Sequence, residues 1–102
     1  MKIAIATEST DSSVEISARG ARALFFLVFG ADGHLSEILE NPYAGNATNV
    51  GPDVANMLIN IHVTKVIAGR FGPRFEEALK NNHVECVWQM GLAVQAAKEH
   101  FN

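Results

Sequence analysis

The sequence has one cysteine and three prolines, and its apolar runs are short. A single cysteine, Cys86, cannot form an internal disulfide, and no C-x-x-C or H-E-x-x-H pattern offers a metal site by itself. The apolar run at residues 23–29 is far below the roughly 20 residues that span a bilayer. The opening MKIAIATEST lacks the apolar region of a signal peptide. These absences argue against a disulfide scaffold and a membrane partner, and they predict a cytoplasmic protein.

Patterns for common catalytic sites are also missing. The chain has neither a G-x-x-x-x-G-K-[ST] phosphate loop nor a G-x-G-x-x-G fingerprint. Two-metal nucleases need acidic residues on central strands, and the segments 2–6 and 65–68 contain none. A net charge of −3 argues against nucleic acid as a partner. The sequence therefore predicts a protein that is not an enzyme and that does not bind nucleic acid.

The composition that remains is that of one globular domain. The chain has 102 residues, of which 48% are hydrophobic and 19% are charged. That length allows a modest hydrophobic core and is short for two ordinary domains. We therefore expect a single domain over residues 1–102.

Hydrophobic patterns predict eight elements in the order βββαβαβα, which is an α/β fold. The run ALFFLVF suits a strand buried on both faces, and Gly30-Ala31-Asp32-Gly33 supplies turn chemistry for a hairpin. A first helix is predicted to begin at Gly51-Pro52-Asp53, with proline at its first position. The predicted strands cover residues 2–6, 23–29, 34–40, 65–68 and 84–88, and the later helices cover residues 73–80 and 91–101.

The most informative stretch is VTKVIAGRFGPRFEEALKNNHVECVW, residues 63–88. It reads as a strand, a glycine-rich turn, a helix opened by Pro73 and a second strand. Its turn lies between Arg70 and Arg74, at the carboxyl end of a strand, where open α/β sheets usually hold ligands. The free N–H groups of a helix start suit an anion. This segment predicts a binding site but not its ligand.

Five segments together resemble a known family, the dinitrogenase iron-molybdenum cofactor biosynthesis proteins. They are the MKIAIAT start, ARGARALFFLVF, the hairpin ending in ENP, the turn VIAGRFGP and the closing GLAVQAAKEHF. The resemblance covers nearly the whole chain. It implies a ribonuclease H-like three-layer fold with a five-stranded mixed sheet of order 3-2-1-4-5. It also implies binding or transfer of an anionic iron-, molybdenum- or related metal-sulfur cluster.

The chain departs from the family pattern at two places. Many members have a His-Phe-Gly-Arg type of sequence before the second strand, where this chain has residues 18–22, ARGAR. Many also carry a histidine in the loop before the first helix, where residues 45–49 read GNATN. The four histidines of this chain form no predicted converging pair. Electrostatic attraction, rather than histidine ligation, is therefore the expected means of binding.

The strand order implied by the resemblance brings loops 8–22, 41–51, 69–73 and 88–91 to one edge of the sheet. All four arginines lie in or beside two of these loops, and guanidinium groups fork around anionic atoms. The two Gly-Pro helix starts, at Gly51-Pro52 and Gly72-Pro73, add backbone donors and partial positive charge. The alternative is that these arginines are only solvated. The predicted cofactor-binding residues are Arg19, Gly20, Arg22, Gly69, Arg70, Gly72, Arg74 and Met90, the last as a soft thioether contact. Cys86 is a minority candidate for a metal ligand, because a free cysteine in an apolar strand is usually a small buried hydrophobe.

Two functions follow from these residues. The first is a non-catalytic carrier of an iron-molybdenum or other metal-sulfur cofactor, or of its precursor, with cofactor-assembly proteins as partners. The second is an interaction module of the same fold whose cofactor site has decayed, and which binds a partner protein or a simple anion. The missing family histidines favour the second function, and the grouped arginines favour the first.

Overall fold

The structure is a computed structural model that describes residues 1–30 and 32–101. Its elements follow the predicted order, βββαβαβα, with a short 3-10 turn at Gly20–Arg22. The strands are β1 (Ile3–Thr7), β2 (Phe25–Phe29), β3 (Leu35–Glu40), β4 (Lys65–Ala68) and β5 (Glu85–Trp88). The helices are α1 (Val50–Asn60), α2 (Pro73–Asn81) and α3 (Ala93–His100).

The five strands form one mixed sheet of order β3-β2-β1-β4-β5, as predicted. Strand β1 runs antiparallel to β2 and parallel to β4, β4 is parallel to β5, and β2 is antiparallel to β3. The carboxyl ends of β1, β3, β4 and β5 therefore meet at one edge of the sheet. All five residues of β1 are buried, which fits its central place. The polar strand β3 lies at an edge, where charges discourage unwanted strand pairing.

Strand alternation creates two separate hydrophobic layers. On one face, Ala4, Phe26 and Val66 pack beneath α1 and α2. On the other face, Ile3 and Ile67 pack with the small residues of α3. Because alanines dominate the buried side of α3, that helix can approach the sheet closely. Helices on both faces of a five-stranded mixed sheet make the predicted three-layer, ribonuclease H-like architecture.

Helices α1 and α2 lie side by side, and their first turns meet closely. A Cβ added to Gly51 would lie 2.9 Å from the backbone nitrogen of Phe75, too near for a real side chain. Val54 and Leu58 of α1 and Phe75 and Leu79 of α2 are buried against the sheet. Glycine at position 51 therefore lets the two helix starts converge at the carboxyl edge.

Several predicted boundaries were wrong at their ends. Strand β2 begins at Phe25, because Ala23 caps the 3-10 turn and donates its backbone N–H to the Gly20 carbonyl. Helix α1 begins at Val50, so Pro52 is its third residue rather than its first. The closing helix is confined to Ala93–His100.

The predicted hairpin turn at residues 30–33 includes Ala31, which lies outside the described residues. Within residues 1–30 and 32–101, no helix has the length and apolar character that membrane crossing demands.

Candidate functional site

A cleft of about 690 Å³ opens at the carboxyl edge of the sheet. Three segments line it: residues 18–22 after β1 except Gly20, residues 47–52 around the start of α1, and residues 70–75 around the start of α2 except Phe71. Binding sites for small molecules commonly have volumes of roughly 300–1,000 Å³. The position at the strand ends is the usual ligand position of an open α/β sheet.

The cleft gathers every arginine of the sequence. Arg19, Arg22, Arg70 and Arg74 all line it, and all four are exposed. Among the described lining residues there is no aspartate or glutamate. The whole chain has a net charge of −3, so this positive concentration is local. A surface of this kind attracts anions and repels cations.

Two of the arginines are held by the loop before α1. Arg22 donates from Nη1 to the carbonyl oxygens of Ala44 (3.2 Å) and Asn46 (2.9 Å). Arg74 donates from Nη2 to the Asn49 side-chain oxygen at 3.2 Å. These bonds tie the loop to both of its neighbouring segments and orient the guanidinium groups at the cleft.

The other two arginines differ in their surroundings. Arg19 forms an ion pair with Glu8 at 3.0 Å, and the other Glu8 oxygen accepts from the Ser17 hydroxyl at 2.6 Å. Part of the Arg19 charge is therefore compensated. Arg70 makes no side-chain hydrogen bond or ion pair within the described part of the chain. Its guanidinium is the most available of the four to a ligand.

Backbone groups add to the positive potential. Helices α1 and α2 both begin at the cleft, and in the described structure neither has a side chain capping its first turn. Early N–H groups of a helix lack partners inside the helix, and the start carries about half a positive charge. Pro52 and Pro73 supply no N–H, so the donors are the neighbouring residues. Two convergent helix starts and four guanidinium groups therefore surround one space.

Gly20 joins two of the three segments. It has a left-handed φ of +58°, and an added Cβ would overlap the carbonyl oxygen of Arg70. The segment that carries Arg19 and Arg22 thus lies directly on the backbone of Arg70. Gly20 is buried and does not line the cleft, whereas Gly72 lines it and a Cβ added there would meet nothing within 4 Å.

The predicted contact residue Met90 lies beside the cleft rather than in its lining. The Met90 sulfur packs over Gly69, so that a Cβ added to Gly69 would overlap the sulfur. Met90 is 53% exposed. Gly69 is likewise outside the lining, and its N–H donates to the Ser17 carbonyl at 2.8 Å. Both residues therefore support the neighbouring loops, and their contact with a ligand stays a prediction.

Cys86 is not brought to the cleft. It lies in the middle of β5, half-buried on the face that α2 covers. Burial, with a smaller effect of the Glu76 carboxylate, raises the pKa of its thiol to about 11. The described residues contain no group of three histidines, cysteines or acids that could hold a metal ion. Cys86 therefore has no companion ligands in the described structure.

This raised pKa predicts slow alkylation of Cys86 in the native state. At pH 8 iodoacetamide should react much more slowly with folded protein than with protein in urea, because thiolate is the reactive form. The pKa of the thiol in the folded state exceeds the ordinary 9.0, so below pH 9 the thiol is protonated in both states and does not change the free energy of unfolding. As the pH rises from 9 towards 11, ionisation of the thiol in the unfolded state lowers the free energy of unfolding. Mass spectrometry over time measures the labelling. A Cys86→Ala variant gives the background, and equal rates in both states would contradict the prediction.

Comparison with known proteins identifies the family to which the chain belongs. The family model described as dinitrogenase iron-molybdenum cofactor matches residues 1–102. The chain belongs to this family. Membership relates it to the biosynthesis of iron-molybdenum cofactor and so to nitrogen fixation, and describes it as a small cofactor-related protein. No curated protein matches the chain.

Two solved structures are similar to this member of the iron-molybdenum cofactor family. One, solved by NMR, is a Thermotoga protein described as a candidate NifB protein of the DUF35 family. It shares 32% sequence identity with a TM-score of 0.78, over 98% of this chain and 85% of that one. The other is the apo form of the orange protein from Desulfovibrio gigas, with 24% identity and a TM-score of 0.86 over 98% and 85% of the two chains. The second likeness concerns the fold alone.

Sequence reasoning missed side chains in the third wall of the cleft. It placed loop 41–51 at the correct edge and used the Gly51-Pro52 helix start as a source of backbone donors, but it named neither Thr48 nor Asn49, which line the cleft. The Gly51-Pro52 pair was the usable signal, because a helix that begins at the strand ends of a parallel sheet faces the ligand side. The left-handed conformation of Asn49, with a φ of 61°, was only weakly indicated by the sequence. Asparagine adopts this conformation more often than most residues, but most asparagines do not.

Proposed function

We propose that this protein binds and carries an anionic metal-sulfur cofactor, iron-molybdenum or related, or its precursor, and that it catalyses no reaction on it. The observation that carries this proposal is the gathering of Arg19, Arg22, Arg70 and Arg74 around one cleft without an acid in its described lining. Cofactor-assembly proteins that deliver or receive the anion are its partners.

Binding is by charge and hydrogen bonds rather than by coordination. The described lining contains no cysteine, histidine, methionine, aspartate or glutamate, which are the residues that ordinarily ligate transition metals. Guanidinium N–H groups and the starts of α1 and α2 suit the outward-facing sulfide or oxide atoms of an anion. Such a site releases its ligand without breaking a metal-protein bond, which suits transfer to another protein.

Family membership supports the cofactor class. The matching family is described by the iron-molybdenum cofactor, and the Thermotoga neighbour is described as a candidate NifB protein. The cleft's volume of about 690 Å³ accommodates an ion larger than phosphate. These observations favour a bulky anion over a simple one.

A second candidate is an interaction module that binds a partner protein or a simple anion. Trp88 and Met90 favour it, because they are 55% and 53% exposed and lie beside loop 69–73. Trp88 stands 5.6 Å from the Phe71 ring and donates to Glu76, and this hydrogen bond lowers the pKa of the Glu76 carboxyl. The same fold could thus serve recognition without a cofactor.

Binding of a defined anion separates the two candidates. Protein purified without oxygen is analysed for metal and sulfide, and then dialysed against tetrathiomolybdate, a coloured anion that contains both molybdenum and sulfide. We expect one saturable site whose affinity falls as salt rises, because the contacts are electrostatic. Phosphate should compete weakly. If the purified protein contains no metal and shows no saturable binding of tetrathiomolybdate, the proposal of a cofactor carrier is contradicted. If phosphate competes as well as tetrathiomolybdate itself, the second candidate function is supported.

A further inference from the structure

Asn41 is a buried polar residue, the middle residue of the ENP motif, and it directly follows β3. It is only 6% exposed, in a chain where just three polar residues are buried in the described part. Its side-chain amide donates to the carbonyl oxygens of Ala21 (2.7 Å) and Ala23 (2.8 Å). Its side-chain oxygen accepts from the backbone N–H of Tyr43 at 3.0 Å. Both amide hydrogens and the oxygen are thus used, so the side chain has one fixed orientation.

These bonds connect two walls of the arginine cleft. The carbonyl groups that Asn41 binds flank Arg22 in the chain, and the Tyr43 N–H begins the loop whose carbonyls at Ala44 and Asn46 accept from Arg22. Asn41 therefore connects the segment around Arg22 to the loop after β3. On the cleft side, Arg22 connects the same two segments through its bonds to Ala44 and Asn46.

We propose that Asn41 is a positioning residue for anion binding, acting through Arg22. Its amide fixes the backbone on both sides of Arg22 and the loop that holds the guanidinium, so the group faces the cleft before a ligand arrives. Preorganised donors bind more tightly than donors that must be ordered on binding. This inference rests on the proposed function, because it assumes that the cleft binds an anion.

The test measures tetrathiomolybdate affinity in four proteins by equilibrium dialysis. They are the wild type, Asn41→Ser, Arg22→Ala and the double variant. Serine can still accept from the Tyr43 N–H but cannot donate to both carbonyls. We expect Asn41→Ser to weaken binding about 10-fold, the lower end of what loss of a supporting hydrogen bond does at bound metal sites. In the Arg22→Ala background the same change should have little further effect.

A matched variant separates positioning from general loosening. Ile67→Val lowers stability from the core layer beneath α3, on the face away from the cleft, and should keep wild-type affinity. Circular dichroism confirms that each protein is folded at the temperature used. A folded Asn41→Ser variant that binds like the wild type overturns the inference, as does a loss that simply adds to that of Arg22→Ala. A wild type that does not bind overturns the proposed function instead.

Hydrogen exchange on the wild type tests the inference even if Asn41→Ser does not fold. Coupling between sites is reciprocal, so an anion held by Arg22 must stabilise the unit that positions Arg22. Tetrathiomolybdate should therefore slow exchange of the Tyr43 and Ala23 amides relative to amides of β4. Binding that leaves both rates unchanged would overturn the inference.

Discussion

Replacing Gly20 with alanine should lower the unfolding midpoint by about 10 °C or more, since each 1 kcal/mol shifts a domain of this size by about 4–8 °C. Two costs combine. A side chain in the left-handed region at φ +58° costs about 1–2 kcal/mol. The added Cβ also overlaps the Arg70 carbonyl oxygen, which is backbone and cannot rotate away, and such overpacking costs about 1–3 kcal/mol.

The same substitution should weaken anion binding. Relief of the overlap requires the segment carrying Arg19 and Arg22 to move away from Arg70, which widens the cleft. Gly45→Ala is the matched control, because an added Cβ at Gly45 meets nothing within 4 Å. Thermal unfolding followed by circular dichroism, with tetrathiomolybdate dialysis at a temperature where both variants are folded, measures the two effects. A Gly20→Ala midpoint equal to that of Gly45→Ala would show that the contact with Arg70 is not tight.

The architecture could be predicted because the elements carry strong local patterns. Apolar residues on both faces mark β1 and β2 as interior strands, and the polar residues of β3 mark an edge strand. The strand order itself came from resemblance, since pairing between distant strands leaves little trace in one sequence. Boundaries failed where backbone geometry decides, as at Asn49, whose left-handed conformation starts α1 before Pro52.

The grouping of the arginines could be predicted in part because it follows from topology. Loops after parallel strands emerge at one edge, so the loops that carry Arg19 and Arg70 are brought to the same edge of the sheet. Side-chain direction does not follow from topology. The Met90 side chain packs over Gly69, and the next residue, Gly91, has a φ of 111°; no residue pattern predicts this chain path. The hydrogen bonds of Asn41 are equally invisible, because a strand-ending asparagine is common and its partners lie about 20 residues away.

The largest effect on binding is expected from removing Arg70, in the 69–73 turn, together with Arg74, which directly follows that turn. Arg70 has no side-chain partner in the described structure, and Arg74 has one exposed bond, to Asn49. A hydrogen bond to a charged group contributes about 1.5–3 kcal/mol, and exposure reduces this to about 1–1.5 kcal/mol for each arginine. The double variant Arg70→Ala/Arg74→Ala should therefore bind tetrathiomolybdate roughly 30- to 140-fold more weakly, a loss of about 2–3 kcal/mol.

The control for this variant must change the net charge equally. Lys80→Ala/Lys98→Ala also removes two positive charges, and both lysines are exposed on helices outside the lining of the cleft. If the field of the whole protein attracts the anion, the two double variants lose affinity alike, and the loss vanishes at high salt. If the guanidinium groups contact the anion, only the arginine variant loses most of its affinity, and part of the difference persists at high salt. Equal affinities in both variants and the wild type would remove the arginine cleft as the binding site.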